Sequence, residues 1–147
     1  MRTFFITVIL FCFDSTKSQD IGCGNIAPVT TFYDNTPPSA AIDSVLYLVP
    51  NSIVIEFCEG FDDSVFLFIN DKLIFSNYLQ TNGSDGLTGP PLILPYDTSA
   101  KTLNLTIQFK KSKNIIKELL SRNFKLLEIS RLESWNFYYS NHIRMRE

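Results

Sequence analysis

The chain has 147 residues, of which 45% are hydrophobic and 19% are charged, and its net charge is −2. This length suits one ordinary globular domain, and the composition excludes a wholly disordered, collagen-like or polybasic nucleic-acid-binding protein. The lack of an apolar run of about 18 residues or more argues against a membrane-spanning helix. No recognised catalytic or cofactor-binding motif is present, so the sequence predicts no catalytic residue, no cofactor and no metal site.

Residues 1–18 have the order of a signal peptide. The basic residue Arg2 precedes an apolar stretch over residues 4–13, and small polar residues follow. Thr16 and Ser18 are the small residues that precede a cleavage site after Ser18. We therefore predict a secreted or periplasmic protein that has no transmembrane segment after signal cleavage.

Two cysteines, Cys23 and Cys58, remain after the predicted cleavage. Thiols oxidise in the compartments that exported proteins reach, so we predict a disulfide between them. The bridge would close a loop of about 36 residues and, through loop-closure entropy, stabilise the fold by about 4 kcal/mol. Spacing alone leaves open the alternative of one buried and one exposed thiol that never meet.

Residues 19–41 are rich in Gly, Pro and Thr and are predicted to form an irregular lead-in. Strand patterns follow it. Residues 45–49 and 52–58 flank the turn-forming pair Pro50-Asn51, which predicts a hairpin. The folded domain is therefore predicted to cover residues 42–147.

A second hairpin is predicted where Asn70-Asp71 joins the apolar runs 65–69 and 72–76. Both turn residues tolerate positive φ, as a two-residue hairpin loop requires. The predicted register contains two facing apolar pairs, Phe68 with Leu73 and Phe66 with Phe75.

The opposite face of this second hairpin is also apolar. Two apolar faces are typical of a strand pair covered on both sides, or of one with an exposed patch that binds a partner. We take this face as a candidate interaction patch, formed by Val65, Leu67, Ile69 and Ile74.

Residues 81–91 hold three of the six glycines and two of the seven prolines, which predicts a long surface loop. Connections of this length in compact domains are often functional, and glycines can present backbone N–H groups to an anion or a peptide. A crossover between two sheets is the alternative interpretation. The candidate ligand-binding residues of the loop are Asn82, Gly83, Ser84, Asp85, Gly86 and Leu87.

The second half of the chain continues the strand pattern. Residues 102–109 alternate as a half-buried strand, and residues 124–132 and 135–141 are predicted to form a closing hairpin. Residues 113–123 have helical spacing, so one short helix is predicted there, with a strand as the alternative. The sequence therefore predicts a single-domain, all-β antiparallel β-sandwich of about eight strands. Its closing hairpin would direct Trp135, Phe137 and Tyr139 into the core.

Charge is unevenly distributed along the chain. Residues 20–100 contain ten acids and one base, Lys72, whereas residues 101–147 contain ten bases and four acids. An antiparallel sheet that pairs late strands with early ones would bring opposite charges together, and we prefer this interpretation to two separate charged surfaces. The scattered bases of an exported chain do not predict nucleic-acid binding.

The carboxylates and the single histidine are candidate reactive groups. Asp62, Asp63, Asp71 and Asp85 could offer oxygen ligands to calcium or, as a pair across a cleft, hydrolyse a glycoside. No spaced calcium-binding loop is present, so solvated turn carboxylates are the preferred interpretation. His142 lies near the C-terminus, where a catalytic base would lack a rigid mount.

Residues 57–63, 69–72, 81–87 and 129–141 carry a resemblance, together with a composition rich in Asn, Ile, Lys and Phe. In these features the chain resembles small exported proteins of Gram-negative bacteria that have no assigned function, over residues 45–147. The resemblance implies a periplasmic or extracellular single-domain β-protein, and it supplies no catalytic residue.

These observations predict an exported, non-enzymatic binding or interaction module. The expected partner is a protein, peptide or glycan that engages the glycine-rich loop or the hairpin patch. The alternatives are a small secreted hydrolase that uses paired carboxylates, and a calcium-stabilised adhesin-like domain.

Overall fold

The computed structural model describes residues 24–39, 43–83, 86 and 88–143. The predicted signal peptide and Cys23 lie outside these residues, so the predicted cleavage and the Cys23–Cys58 disulfide stay predictions. In chain order the elements are β1 (Asn25–Ile26), β2 (Val29–Tyr33), the 3-10 helix η1 (Asp43–Tyr47), β3 (Ser52–Phe57), β4 (Asp62–Ile69), β5 (Lys72–Gln80), β6 (Leu92–Pro95), β7 (Asn104–Phe109), β8 (Asn114–Leu119), β9 (Leu126–Arg131) and β10 (Trp135–Ser140).

The strands form two five-stranded sheets. Sheet A has the order β1-β8-β7-β4-β5, and sheet B has the order β2-β10-β9-β3-β6. Most neighbours are antiparallel, but β1–β8, β2–β10 and β3–β9 are parallel pairs. The prediction of an all-β sandwich is confirmed, with ten strands in place of about eight.

The core lies between the two sheets, and both contribute to it. Leu67 and Ile107 of sheet A and Ile55 of sheet B are among its fully buried side chains. Trp135 stacks on Phe109 across the core, with ring centroids 4.3 Å apart. Burial of this continuous apolar layer is the main favourable term for such a fold. The predicted inward direction of Trp135, Phe137 and Tyr139 is confirmed by their burial.

The β4–β5 hairpin confirms the predicted turn and corrects its register. Asn70 and Asp71 have φ angles of 47° and 66°, as a two-residue loop of this kind requires. Phe68 faces Leu73 as predicted, but the register then shifts. Because Ile74 is an extra residue in a β-bulge, the facing pairs beyond it are Leu67 with Phe75 and Phe66 with Ser76.

Three sequence predictions of secondary structure are corrected. Residues 45–49 were predicted as a strand but overlap η1, because Leu46 packs on the outer side of sheet B instead of entering it. Residues 114–119 form β8 and not a helix, because Ile116 is buried opposite Ile107 of β7. The predicted lead-in contributes β1 and β2, two edge strands that form only by pairing with β8 and β10.

Gly60 lies where the chain crosses from β3 in sheet B to β4 in sheet A. Its φ is +87°, and a Cβ added there would lie 1.5 Å from the carbonyl oxygen of Arg131. No other residue type fits this close approach between two backbones. The crossing is held by a hydrogen bond from the Arg131 N–H to the Glu59 carbonyl at 2.8 Å.

Candidate functional site

Strand alternation gives each sheet an outer face as well as a core face. On the outer face of sheet A, Phe66 lies between Ser76 of β5 and Gln108 of β7. The next row along the strands contains Phe68, flanked by Leu73 and Thr106. This outer face of sheet A, the open face, is formed by Ile26, Phe66, Phe68, Leu73, Tyr78, Gln108 and Ile115.

The open face combines exposed apolar side chains with one buried polar group. Leu73 is 45% exposed and Tyr78 is 54% exposed, whereas Phe66 beside them is buried. Gln108 is only 7% exposed, and its Oε1 has no hydrogen-bond donor within the described part of the chain. Buried side-chain acceptors normally have a partner, so this one distinguishes the open face from an ordinary solvated sheet surface.

One acidic group at the rim of the open face is already neutralised. Asp62 accepts hydrogen bonds from the Tyr78 hydroxyl and from Lys111 Nζ, which also forms an ion pair with it. The Lys111 hydrogen bond, followed by that of Tyr78, lowers the pKa of Asp62. The same contacts raise the pKa of Lys111 and of Tyr78.

Two lysines of the open face remain uncompensated. Lys110 follows β7 and Lys117 lies on β8, and both are exposed. Neither forms an ion pair with a carboxylate among the described residues. The open face therefore combines apolar side chains with uncompensated positive charge at Lys110 and Lys117.

The hairpin patch predicted from sequence lies on the other side of sheet A. Val65 and Leu67 are fully buried in the core, and Ile69 and Ile74 pack against the same core. Val65 and Leu67 are therefore closed to a partner, whereas Ile69 and Ile74 are only partly buried. A binding role for the patch stays a prediction, and the exposed apolar side chains of the hairpin, Leu73 and Tyr78, lie on its reverse side, on the open face.

The glycine-rich loop is anchored at the end of β3. Thr81 Oγ1 donates to the Cys58 carbonyl at 3.1 Å, and Thr88 N and Oγ1 both donate to the Phe57 carbonyl, at 3.1 and 2.9 Å. Within the loop, Gly86 N donates to the Asn82 carbonyl at 3.1 Å. The candidate residues Ser84, Asp85 and Leu87 lie outside the described residues, so the predicted loop site stays a prediction.

Sheet B carries a cluster of potential metal ligands on its outer face. Glu56, Cys58 and Glu128 each place one ligand atom within 4.8 Å of the others. Glu56 faces Glu128 in the parallel β3–β9 pair, and Glu128 is only 4% exposed. A thiol with two carboxylates can ligate a divalent cation such as zinc.

The sequence does not reveal this cluster, because Glu128 is far from Glu56 and Cys58 in the chain. The alternation of β3 identifies Glu56 and Cys58 as neighbours on one face. The alternation of β9 likewise identifies the face on which Glu128 lies. Only the parallel pairing of the two strands brings them together, and no local signal predicts that pairing.

The acids singled out from the sequence do not converge. Asp63 is buried and accepts hydrogen bonds from Lys111 N at 2.6 Å and Ser112 N at 2.8 Å, which fixes the β7–β8 turn. Asp62 points to the opposite side of the same strand, and Asp71 belongs to the exposed β4–β5 turn. Asp85 lies outside the described residues. The three that are described therefore act in turns and at a rim.

His142 joins a small polar group at the other edge of sheet B. Its Nε2 lies 3.4 Å from Asp34 Oδ2, and the Tyr138 hydroxyl donates to the same oxygen at 3.2 Å. Hydrogen bonds from Thr36, with smaller contributions from His142 and Tyr138, lower the pKa of Asp34. These contacts fasten the C-terminal segment to the end of β2.

No protein-family model, no curated protein and no solved structure matches this chain. None of the helical structure within the described ranges is long and apolar enough to cross a bilayer.

Proposed function

We propose that the protein is an exported, non-enzymatic binding module that contacts its partner through the open face. The observation that carries the proposal is the buried, donor-free Oε1 of Gln108 on the same face of sheet A as the exposed side chains of Leu73 and Tyr78. Exposed apolar patches rimmed by polar groups are typical of interaction sites. An acceptor buried without a donor costs about 1–3 kcal/mol, which a partner that supplies an N–H would recover.

Export and the disulfide belong to this proposal. The signal-peptide order of residues 1–18 and the resemblance to exported bacterial proteins support export to an oxidising compartment. Cys58 is buried at the end of β3, and its Sγ lies 3.7 Å from the Glu56 carbonyl oxygen. A bond to Cys23 at this position would tie the start of the chain to the central part of sheet B.

Site-specific crosslinking tests the location of the binding surface. We would place a photoreactive phenylalanine at Leu73, on the open face, and at Leu132 as the control, since Leu132 is also exposed but follows β9 in sheet B. Irradiation of producing cells should give a discrete adduct from position 73 and none from position 132. Equal labelling at both positions, or none at either, would refute the open face as the binding surface.

The alternative functions are distinguished by chelation. A calcium-stabilised adhesin-like domain should lose melting temperature when a chelator is added, because a ligand bound to the folded state stabilises it. We expect an unchanged melt for the binding module proposed here. A lower melting temperature in the chelator would favour a metal-stabilised domain, and adding back calcium or zinc would distinguish the adhesin-like alternative from a metal held by Glu56, Cys58 and Glu128.

A further inference from the structure

The charge of the open face identifies the kind of partner that fits it. Asp62, at its rim, is already bound to Lys111 and Tyr78, whereas Lys110 and Lys117 have no carboxylate partner among the described residues. Building on the proposed function, we propose that the open face docks an acidic amphipathic segment of another protein, with apolar side chains on Phe68 and Leu73 and carboxylates at the two lysines.

The register places the two lysines on opposite sides of Gln108. Lys110 comes two residues after Gln108 on β7, and Lys117 comes two residues after Ile115, which faces Gln108 from β8. Because β7 and β8 are antiparallel, these two steps run in opposite directions along the sheet. A segment laid along the strands therefore meets a lysine at each end and the Gln108 oxygen between them.

The polar groups of the open face set the chemistry of the segment. Ammonium groups are donors only, so Lys110 and Lys117 need acceptors, and carboxylates also match their charge. The Oε1 of Gln108 needs a donor, which a serine hydroxyl, an amide side chain or a backbone N–H can supply. A basic segment would place like charges together, and a wholly apolar one would leave three polar groups unmatched.

Salt should affect association more than dissociation. The lysines are exposed, so they steer the approach of an acidic segment more than they hold it. We expect the association rate constant to fall roughly tenfold when salt is raised from about 0.05 M to about 0.5 M, since the Debye length shortens accordingly. The dissociation rate constant should change much less.

Designed peptides test the proposal without knowledge of the natural partner. Three amphipathic peptides of roughly 18 residues share one leucine stripe and carry glutamate, glutamine or lysine at all polar positions. We expect the glutamate peptide to bind the full chain at least about tenfold more tightly than the glutamine peptide, and the lysine peptide to bind least. The double variant Lys110→Glu, Lys117→Glu should reverse this order, whereas the control Lys101→Glu should preserve it.

Each outcome separates this proposal from the proposed function. Equal binding of the glutamate and glutamine peptides, lost in Leu73→Ser, would overturn the acidic partner while supporting the open face as a binding surface. Failure of the glutamate peptide to bind, or an order that the double variant does not change, would also overturn the acidic partner. Concentration-dependent dimerisation that Leu73→Ser abolishes would overturn it in favour of a second copy of this chain.

Discussion

The outer faces of the two sheets are both partly apolar, but they differ in what covers them. On sheet B, Val54 and Leu126 point outward and are covered by Leu46 of η1 and by Ile143 of the C-terminal segment. On sheet A, the outward-facing side chains of Leu73 and Tyr78 remain exposed on the open face. The first arrangement is a second small core, and the second is a surface.

This difference shows why apolar content does not identify an interaction site. Val54 and Phe66 both lie on outward-facing positions of central strands, and both are buried. Val54 packs against Leu46 of the separate element η1, whereas Leu73 and Tyr78 on the same face as Phe66 remain exposed. What covers a face decides its role, and the covering element can lie far away in the sequence.

The largest expected effect on stability comes from truncating a side chain on the outer face of sheet B, the covered face. Leu126→Ala removes a side chain that is 1% exposed, so it should lower the free energy of unfolding by about 2–5 kcal/mol through lost burial and the cavity left behind. Leu73→Ala on the open face is the matched control, and we expect a change within about 0.5 kcal/mol. Chemical denaturation measures both. A cost for Leu73→Ala close to that of Leu126→Ala would show that the open face is covered too.

The hydrogen bonds that attach η1 and the C-terminal segment to sheet B should contribute less to stability than the apolar cluster beneath them. Asp43 is buried and accepts hydrogen bonds from the backbone N–H groups of Ser39 and Ile143, the latter at 2.6 Å. Asp43→Asn replaces one acceptor by a donor, so we expect a loss of about 1–3 kcal/mol in unfolding experiments.

Asp71→Asn provides the control for this substitution. Asp71 is exposed in the β4–β5 turn, and asparagine tolerates its positive φ, so the free energy of unfolding should hardly change. Equal effects of the two substitutions would argue that the contacts of Asp43 do not hold η1 and the C-terminal segment on sheet B.

The sequence predicts elements that depend on neighbours in the chain. The turn at Asn70-Asp71 needs two residues that tolerate positive φ, and both the β4–β5 and the β9–β10 hairpins are local pairings of this kind. The face of β4 that enters the core was not predictable, because Val65 and Phe66 are both apolar. Pairing between β3 and β9, which assembles Glu56 with Glu128, joins strands that are distant in the chain and leaves no local pattern.

The smallest expected effect concerns the edge at which the C-terminal segment meets β2. The pKa of Asp34 is lowered chiefly by hydrogen bonds from Thr36, then by the charge of His142 and by the Tyr138 hydroxyl. A depressed folded-state pKa means that the ionised carboxylate favours the folded state above its unfolded pKa, near 3.9. This contribution is lost as the pH falls through the lower, folded-state pKa. The contacts of Asp34 should therefore persist at neutral pH and loosen only in acid.

Titration of the Asp34 carboxyl carbon by NMR can resolve which contact dominates. Thr36→Ala removes the hydroxyl that lowers the pKa of Asp34 most, so it should raise this pKa more than Tyr138→Phe does. Tyr138 donates to Asp34 from β10, the neighbouring strand of the same sheet. The opposite order would mean that Tyr138, and with it β10, fixes the carboxylate. In that case Asp34 would connect His142 of the C-terminal segment to β10 of sheet B, in addition to the edge strand β2.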